Sequence, residues 1–282
     1  MSAVGDRWRA LFVVGWMLVG CRARALADVP RAPSTDAPVA ALEPWVEAAP
    51  GVSWRGAEVP WDDAPTGLFG VSEPNPTLAW VVVRLDLSRV RLTAERASRD
   101  TFRELTLDSA LLAAVDAGFF ERDRSPTGLL VSEGRLLHGW AHAGGSGVLE
   151  LSSGVARVVP SAGYARGASL AVQCGPRLVE PGRVVGIRRD DGERFARTAA
   201  CVRDQGRTLD LVATWGLTSP LRGPGLLRFA QRLAGPSPVG DPEGCEAALN
   251  LDGGPSTAVY VRGPRGTLHG PQGPTPWVLV VR

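Results

Sequence analysis

Apolar and polar residues alternate along much of the chain, and this period of two predicts β-strands. Two such runs, residues 80–87 and 90–94, are joined by a short polar turn and are predicted to pair with each other. Further strands are predicted between turns rich in Gly, Pro or acidic residues, at 147–151, 155–160, 168–173, 183–187, 194–203, 209–213 and 277–281.

Two segments have helical spacing instead. Residues 101–114 favour a short helix through the apolar positions Phe102, Leu105, Leu107, Leu111 and Leu112. Residues 224–233 form a second helix, with Pro224 at its start and Gly235 just past its end, where a left-handed cap is common. Many strands with few helices predict an α+β fold: a mixed, mostly antiparallel sheet with a few flanking helices, in a single domain.

One stretch combines this pattern with candidate chemistry. Residues 247–261 read AALNLDGGPSTAVYV, an apolar run that ends at Asp252, turns on Gly253 and Gly254, passes Ser256 and resumes as an alternating run. The pattern predicts a strand, a tight turn and a strand, with a carboxylate and a hydroxyl at the turn. An ordinary Gly-Gly hairpin with a solvated Asp is the alternative.

Composition narrows the class of protein. A chain of 282 residues with 44% hydrophobic residues can bury a substantial core. The net charge is +2, and all 31 basic residues are arginines scattered among acidic residues. Because no basic block or interleaved aromatic pattern occurs, the charge gives no indication of nucleic-acid binding.

The beginning of the chain resembles an export signal. Arginines, an apolar core and small residues follow one another over residues 1–27, and the core is too short for a comfortable membrane span. Residues 25–27 form an A-x-A cleavage site, whereas residues 18–21 resemble a lipobox that would attach a lipid anchor at Cys21. Both predict an extracytoplasmic protein, periplasmic, secreted or lipid-anchored. An Ala- and Pro-rich tether at 28–50 and a folded domain at 51–282 are expected to follow.

Cysteine and histidine give weaker signals. Of Cys174, Cys201 and Cys245, the first two lie in neighbouring strand-like segments and are the disulfide that we favour; three buried thiols are the alternative. His138 and His142 could bind a metal ion on a helix, but the glycines around them argue for a loop that lines or covers a cleft. The sequence carries no metal signature and identifies no cofactor.

Five ordered segments resemble the phosphodiester glycosidase family. Residues 249–254 with Ser256 resemble the family's LDGG-x-S signature, and residues 115–120 (VDAGFF) resemble its NGGFF segment. Residues 125–134, 173–179 and 197–200 resemble its PxGL, GPxLV and RTAIG segments. The resemblance implies a hydrolase that cleaves a glycosyl-phosphate linkage, a sugar-1-phosphodiester, in an envelope or extracellular polysaccharide. A relative that binds such a polysaccharide without catalysis is the alternative.

The resemblance and the residue types together assign candidate roles. Asp116 and Asp252 are the candidate acid/base or nucleophilic carboxylates, and Arg197 is the candidate clamp for two phosphate oxygens. The residues expected to line the substrate site are Gly118, Gly128, Gly175, Gly253, Gly254 and Ser256. If these roles are right, Asp116, Arg197, Asp252 and Ser256 converge on one cleft.

Each assignment has a plain alternative, and the chain departs from the family pattern. Both aspartates could simply bond a turn, and Arg197 could pair with Asp191 or Glu193 on a solvated hairpin. Asp116 stands where the family has Asn, which replaces a neutral side chain by an ionisable one. Pro255 stands where the family has Gly, Ser or Asn and removes one N–H.

Overall fold

Antiparallel β-sheet dominates the architecture. The computed structural model describes residues 44–65, 75–97, 102–239, 241–263, 267–271 and 273–282. The strands are β1 Val46–Ala49, β2 Val52–Pro60, β3 Thr77–Asp86, β4 Leu92–Arg96, β5 Ala113–Asp116, β6 Leu130–Ser132, β7 Arg135–His138, β8 Gly147–Ser152, β9 Val155–Pro160, β10 Leu170–Cys174, β11 Arg177–Glu180, β12 Arg183–Val184, β13 Arg197–Arg203, β14 Thr208–Gly216, β15 Ala247–Gly253, β16 Val259–Val261, β17 Thr267–His269 and β18 Trp277–Val281. The α-helices are α1 Phe102–Leu105 and α2 Leu226–Ala234.

These strands form three sheets. The large sheet has the order β1-β2-β3-β14-β13-β15-β11-β12, the second sheet β17-β16-β5-β18-β4 and the third sheet β7-β6-β10-β8-β9. Every pairing between described strands is antiparallel. Strands make up 44% of the residues that the structure describes and helical residues 11%, so the α+β class predicted from the sequence is wrong and the fold is mostly β.

The first predicted helix fails for a visible reason. Its residues form only the single turn α1, and the chain then runs irregularly to β5. Leu107 is 83% exposed whereas Leu111 is buried, so the apolar residues of this segment do not share one helical face. The second predicted helix is confirmed as α2, which buries Phe229, Ala230 and Leu233.

One predicted strand pairing is wrong, and the alternative of a simple hairpin around Gly254 also fails. Residues 80–87 and 90–94 do not pair with each other, because β3 lies between β2 and β14 in the large sheet while β4 pairs with β18 in the second sheet. Likewise β15 and β16 are not a hairpin, since β15 belongs to the large sheet and β16 to the second sheet. The turn around Gly254 therefore passes the chain from one sheet to another.

The two faces of the large sheet have different coverings. One face packs against the second and third sheets through a large apolar cluster that includes Leu211, Leu251 and Val115. The other packs against α2 through a cluster that includes Trp80, Phe229 and Cys201. We call these the sheet-covered face and the helix-covered face.

A disulfide lies on the helix-covered face. Cys201 on β13 bonds Cys245, and the Cα atoms are 5.4 Å apart. The predicted Cys174–Cys201 bond is therefore wrong: Cys174 packs in the cluster of the sheet-covered face as a free, buried thiol, so β13 separates the two side chains.

Residues 1–43, on which the predictions of an export signal, a lipid anchor at Cys21 and most of the tether depend, lie outside the described part of the chain. The described residues belong to one compact unit. None of their helices is long and apolar enough to cross a bilayer.

Candidate active site

A bulge in β15 positions Asp252. Asn250 pairs with Ala199, but the next registered pair is Gly253 with Arg197, so Leu251 and Asp252 both lie opposite Thr198. Such an extra residue bends a strand and re-aims a side chain. Leu251 packs in the core of the sheet-covered face, and the Asp252 amide donates to the Ala117 carbonyl at 3.0 Å. The bulge thus brings Asp252 beside the end of β5.

Asp116 lies at that end of β5 and is completely buried. Its Oδ1 accepts a hydrogen bond of 2.7 Å from the Thr198 hydroxyl and one of 3.2 Å from the Ala258 amide. Its Oδ2 is buried and has no hydrogen-bond partner among the described residues. One carboxyl group therefore links the large sheet to the second sheet at the point where Asp252 is placed.

The two carboxyl groups differ in their protonation. Burial, and then the charge of Asp252, raise the pKa of Asp116 well above its usual range. Burial also raises the pKa of Asp252 to about 6, although hydrogen bonds from Gly253 and Ser256 act in the opposite direction. These shifts favour the neutral carboxylic acid at Asp116, whereas Asp252, with a pKa of about 6, is mostly ionised at neutral pH. Since Oδ1 of Asp116 accepts two hydrogen bonds, its proton belongs on Oδ2.

The Gly-Gly turn is mostly occupied by its own backbone. The Gly253 N–H donates to Oδ1 of Asp252 at 2.8 Å, and the Gly254 N–H donates to the Ala196 carbonyl at 2.8 Å. Both amides are thus already bonded within the protein. Gly254 is itself buried and has a φ of 55°, and a Cβ added there would meet no atom of the described residues within 4 Å.

Ser256 lies in the same turn, almost fully buried. Its hydroxyl donates to the Pro274 carbonyl at 2.8 Å. A hydroxyl has one proton, so donation to Asp252 competes with this bond. Ser256 therefore helps to fix the turn and is close enough to influence Asp252.

The other three candidate glycines serve close packing. A Cβ at Gly118 would lie 3.1 Å from the Gln173 carbonyl, one at Gly128 would lie 2.8 Å from the Gly144 Cα, and one at Gly175 would lie 2.8 Å from the Ser146 amide. Each glycine lets two chain segments approach, and none of these three contacts involves open space for a ligand.

Arg197 is placed apart from the two carboxyl groups. Its backbone pairs with Gly253, but its guanidinium donates to the carbonyls of Pro224 (3.2 Å) and Glu193 (3.3 Å). Pro224 precedes α2, so this side chain leaves the sheet on the helix-covered face, opposite to Thr198. No carboxylate of the described residues forms an ion pair with this guanidinium, so the alternative of a pair with Asp191 or Glu193 is not observed either. Burial lowers the pKa of Arg197.

Sequence reasoning missed the groups that hold the carboxyls. Thr198 was available as a polar residue at an inward position of an otherwise small and apolar strand, whereas the Ala258 amide left no sequence signal. Gln173 is buried and uses both ends of its amide: Oε1 accepts from Leu129 and Ala141, and Nε2 donates to Ala141 and Gly145. It thus fixes the loop that contains His142.

Neither histidine of that loop belongs to a metal centre in the part of the chain that the structure describes, where no cluster of three or more His, Cys, Asp or Glu side chains is suited to bind a metal ion. Nδ1 of His138 lies 2.9 Å from the Gly128 carbonyl. The ring of His142 lies 6.3 Å from that of Trp140, which is half exposed.

Solved structures show the same fold in other proteins. The chain is similar to the catalytic domain of zebrafish N-acetylglucosamine-1-phosphodiester α-N-acetylglucosaminidase, auto-inhibited by its pro-peptide (TM-score 0.58, 15% identity, 83% of this chain and 84% of that one). A hypothetical protein from Synechocystis is similar over 87% of this chain (TM-score 0.54, 17% identity), but this chain covers only 64% of it. A protein from Burkholderia pseudomallei K96243 that carries the description of an exported protein is similar over 74% of this chain and 75% of its own (TM-score 0.50, 16% identity).

At these identities the structural similarities establish the fold alone. No curated protein matches the sequence significantly. The model of the phosphodiester glycosidase family, NAGPA, matches residues 109–281, which include both carboxyl groups and every strand that holds them. The chain therefore belongs to the phosphodiester glycosidase family.

Proposed function

We propose that this protein hydrolyses a sugar-1-phosphodiester by breaking the bond between the anomeric carbon and the phosphate oxygen. The observation that carries the proposal is the pair of unlike carboxyl groups at the end of β5: Asp116 is fully buried with a pKa raised well above its usual range, and Asp252 is partly exposed with a pKa of about 6. Family membership gives the reaction class, and the pair supplies groups that can perform it.

One ionised carboxylate suits this leaving group. Ordinary glycosidases use two carboxyl groups, because a sugar or alcohol must be protonated as it leaves. A phosphate monoester is a far weaker base than an alkoxide and leaves as an anion without help from a protonated side chain. A site with one accessible carboxylate therefore fits a glycosyl phosphate better than it fits a common glycoside.

In the proposed reaction, Asp252 faces the anomeric carbon. Its negative charge stabilises the positive charge that develops as the carbon–oxygen bond breaks, and it accepts a proton from the attacking water. The water oxygen forms the new bond to the anomeric carbon, and the bond electrons leave with the phosphate. The products are a free sugar and a phosphate monoester, and the proton on Asp252 then passes to solvent.

Asp116 acts in this proposal as a positioning residue. It is completely buried, so it does not touch the substrate; it fixes Thr198 and Ala258 around the bulge and remains neutral. A neutral carboxylic acid and an amide have the same shape and the same carbonyl acceptor. The Asp116 that replaces the family's Asn therefore preserves the uncharged state of this position.

Arg197 is likewise proposed to position the site. Its backbone pairs with Gly253 at the bulge, and its guanidinium ties the end of β13 to the Pro224 and Glu193 carbonyls. A part-buried guanidinium that bonds two carbonyls restrains the strand end beside Asp252. The role of phosphate clamp that the sequence indicated has no support in this placement.

We also propose that the protein works outside the cytoplasm. The signal-like residues 1–27 predict export, and the Cys201–Cys245 disulfide is of a kind that persists in oxidising compartments. Family membership implies a sugar phosphodiester as the ligand, and we propose that this ligand is part of an envelope or extracellular polysaccharide.

The test measures whether the protein hydrolyses a panel of sugar-1-phosphodiesters. Release of free sugar together with phosphate monoester is expected, and Asp252→Asn, which is expected to fold but cannot ionise, should release both about 10³-fold more slowly. Release of sugar phosphate would contradict the proposed bond cleavage. Tight binding of the panel without any turnover in the wild-type protein would instead favour a polysaccharide-binding relative.

A further inference from the structure

The chain that leaves β5 forms a small hairpin over residues 119–127. The Glu121 amide donates to the Ser125 carbonyl at 2.8 Å, and Phe120 forms a bridge with Pro126. The tip, residues 121–124, reads ERDR and therefore carries two acidic and two basic side chains. We call this segment the β5 hairpin.

The β5 hairpin begins beside the candidate active site. The Ala117 carbonyl accepts a hydrogen bond of 3.0 Å from the Asp252 amide. Three residues of extended chain span at most about 10 Å, so Phe120 lies within about 10 Å of the residue that is bonded to Asp252. Residues 118–120 and Asp252 are partly exposed. Solvent-accessible chain thus leads from Asp252 to the hairpin, over a length that a sugar ring and its phosphate can cover.

Trp277 ties the tip of the hairpin to the same place. Its carbonyl accepts from the Ala117 amide at 3.1 Å, and its Nε1–H donates to the Arg124 carbonyl at 2.9 Å. The guanidinium carbon of Arg124 lies 5.6 Å from the centre of the Phe120 ring, the distance of a cation–π contact. Both the backbone and the charged end of Arg124 are therefore held on the part of the chain that adjoins Asp252.

The hairpin turn itself does not explain an arginine at position 124. The Arg124 amide donates to the Glu121 carbonyl at 3.0 Å, and Arg124 has a φ of 71°. A turn that is followed by one left-handed residue is a common three-residue hairpin loop. Glycine adopts this conformation without strain, whereas a residue with a Cβ does not. The turn alone therefore favours glycine, and the reason for arginine lies in its side chain.

The charges of the candidate active site require a cation near the phosphate. A phosphodiester is an anion, and the carboxylate of Asp252 repels it. The guanidinium of Arg197 does not compensate for this, because it donates to two carbonyls on the helix-covered face. In the hairpin tip, the Asp123 carboxylate accepts the amide (3.0 Å) and the hydroxyl (2.6 Å) of Ser125. Arg124 is thus a cation placed on the side of Asp252.

We propose that Arg124 binds the phosphate group of the substrate, so that the β5 hairpin is the site of the departing phosphate monoester. A guanidinium presents five N–H donors in a fork that matches two phosphate oxygens, and it can do so while it contacts Phe120. The inference rests on the proposed function, because it takes Asp252 as the place where the anomeric carbon reacts. It adds the residue that selects a charged phosphodiester over a neutral glycoside.

Arg124→Gly is the test, because it removes the side chain and suits the backbone. Glycine adopts a φ of 71° and keeps the carbonyl that accepts from Trp277, so the melting temperature should not fall. With a sugar-1-(methyl phosphate) diester as substrate, kcat/KM should fall about 100-fold. The inhibition constant of the product methyl phosphate should rise about tenfold or more. A folded Arg124→Gly in which both values stay within about threefold of the wild type would overturn the inference.

Arg122→Ala is the matched control. Arg122 is exposed and belongs to the same tip, so its removal changes the charge of the hairpin by the same amount. This variant should keep both kinetic values within about threefold of the wild type. Equal losses in the two variants would show that only the overall charge of the hairpin matters and would overturn the specific role of Arg124. If Arg124→Gly does not fold, Arg124→Asn, which also tolerates a left-handed backbone, replaces it with the same expectations.

Failure of the proposed function gives a different result. If the wild type hydrolyses no sugar-1-phosphodiester, methyl phosphate is titrated into the protein while NMR follows the indole N–H signal of Trp277, assigned with Trp277→Phe. A shift that occurs in the wild type and in Arg122→Ala but not in Arg124→Gly supports the phosphate site although the catalytic proposal fails. Absence of a shift in the wild type, or a shift that Arg124→Gly keeps, overturns the phosphate site as well.

Discussion

Two aspartates are buried in or against the same large sheet, and their surroundings differ completely. Asp210 on β14 is 1% exposed and receives three hydrogen bonds of 2.7–2.8 Å from Arg84 and Arg203. Asp116 is equally buried and receives two, from a hydroxyl and an amide, with no cation. Arginines neutralise the charge of Asp210, whereas no cation neutralises a charge on Asp116.

The presence or absence of a paired arginine separates a structural aspartate from the two aspartates of the candidate active site. Asp210 lies on the helix-covered face near the Cys201–Cys245 disulfide, where a second acid, Asp241, also bonds Arg84. Such a closed ionic group fixes geometry and leaves no acceptor for a ligand. On the sheet-covered face, Asp116 and Asp252 share a site without a compensating arginine, so their pKa values rise and one of them becomes a base near neutral pH.

The largest expected effect is a loss of activity when Asp252, which has no arginine partner, is replaced. Asp252→Asn should lower kcat/KM about 10³-fold, the order of magnitude of a lost base, while the protein stays folded. Steady-state sugar release is the measurement. Near-normal turnover would reduce Asp252 to a turn residue.

The same variant should gain stability at neutral pH. The pKa of Asp252 is raised in the folded protein to about 6 from 3.8, so its contribution to stability declines as pH rises through this interval, and the ionised form costs up to about 3 kcal/mol above it. Asn cannot ionise and avoids this cost. The melting temperature of Asp252→Asn should therefore exceed that of the wild type at pH 7.5 and approach it at pH 4.

Replacing Asp210, which is paired with arginines, should affect stability alone. Asp210→Asn removes the buried negative charge that forms ion pairs with Arg84 and Arg203. It should lower the free energy of unfolding by about 3 kcal/mol. Denaturant unfolding measures the loss. Activity per folded molecule should be unchanged, and a selective loss of turnover would break the contrast between the two aspartates.

Arg197→Lys should have a smaller effect. It removes the Nε bond to Pro224 and loosens the bond to Glu193, which should cost about 1 kcal/mol of stability. With the guanidinium on the helix-covered face, kcat/KM should change by about threefold or less. A loss of about 100-fold would show that this side chain does grip the phosphate.

Asp116→Asn should have the smallest effect. A neutral carboxylic acid is exchanged for a neutral amide that keeps the acceptor for Thr198 and Ala258, so kcat/KM should stay within about threefold of the wild type. Asp116→Ala, which removes the acceptor and leaves a cavity, is the contrasting variant. Strong inactivation by Asn would show that the proton of Asp116 takes part in the reaction.

The sequence predicted local structure better than the way in which segments combine. Strands such as β8, β9, β13 and β18 follow from alternation and turns, because those signals are local. The partners of β3 and β4 do not, since pairing is decided by contacts across the whole chain. The disulfide was misassigned for the same reason: sequence spacing does not show that Cys174 on β10 and Cys201 on β13 pack on opposite faces of the large sheet.

The sequence likewise predicted some features of the candidate active site and not others. The residue types at Asp116 and Asp252 and their neighbouring turn were visible in the sequence, and the structure brings the two side chains together. The bulge opposite Thr198 was not visible, because one extra residue in a strand leaves the apolar pattern intact. It is this bulge that places Asp252 on one face of the sheet and leaves Arg197 on the other.

The most direct test of this account is the protonation of the two carboxyl groups in the wild-type protein. Carbon-13 NMR of Asp-labelled protein, assigned with Asp116→Asn and Asp252→Asn, follows each group against pH. Asp252 should titrate near pH 6, with kcat/KM rising about tenfold from pH 5 to 7, while Asp116 stays protonated when Asp252 ionises. Ionisation of Asp116 near pH 4, as in an exposed aspartate, would contradict the central claim.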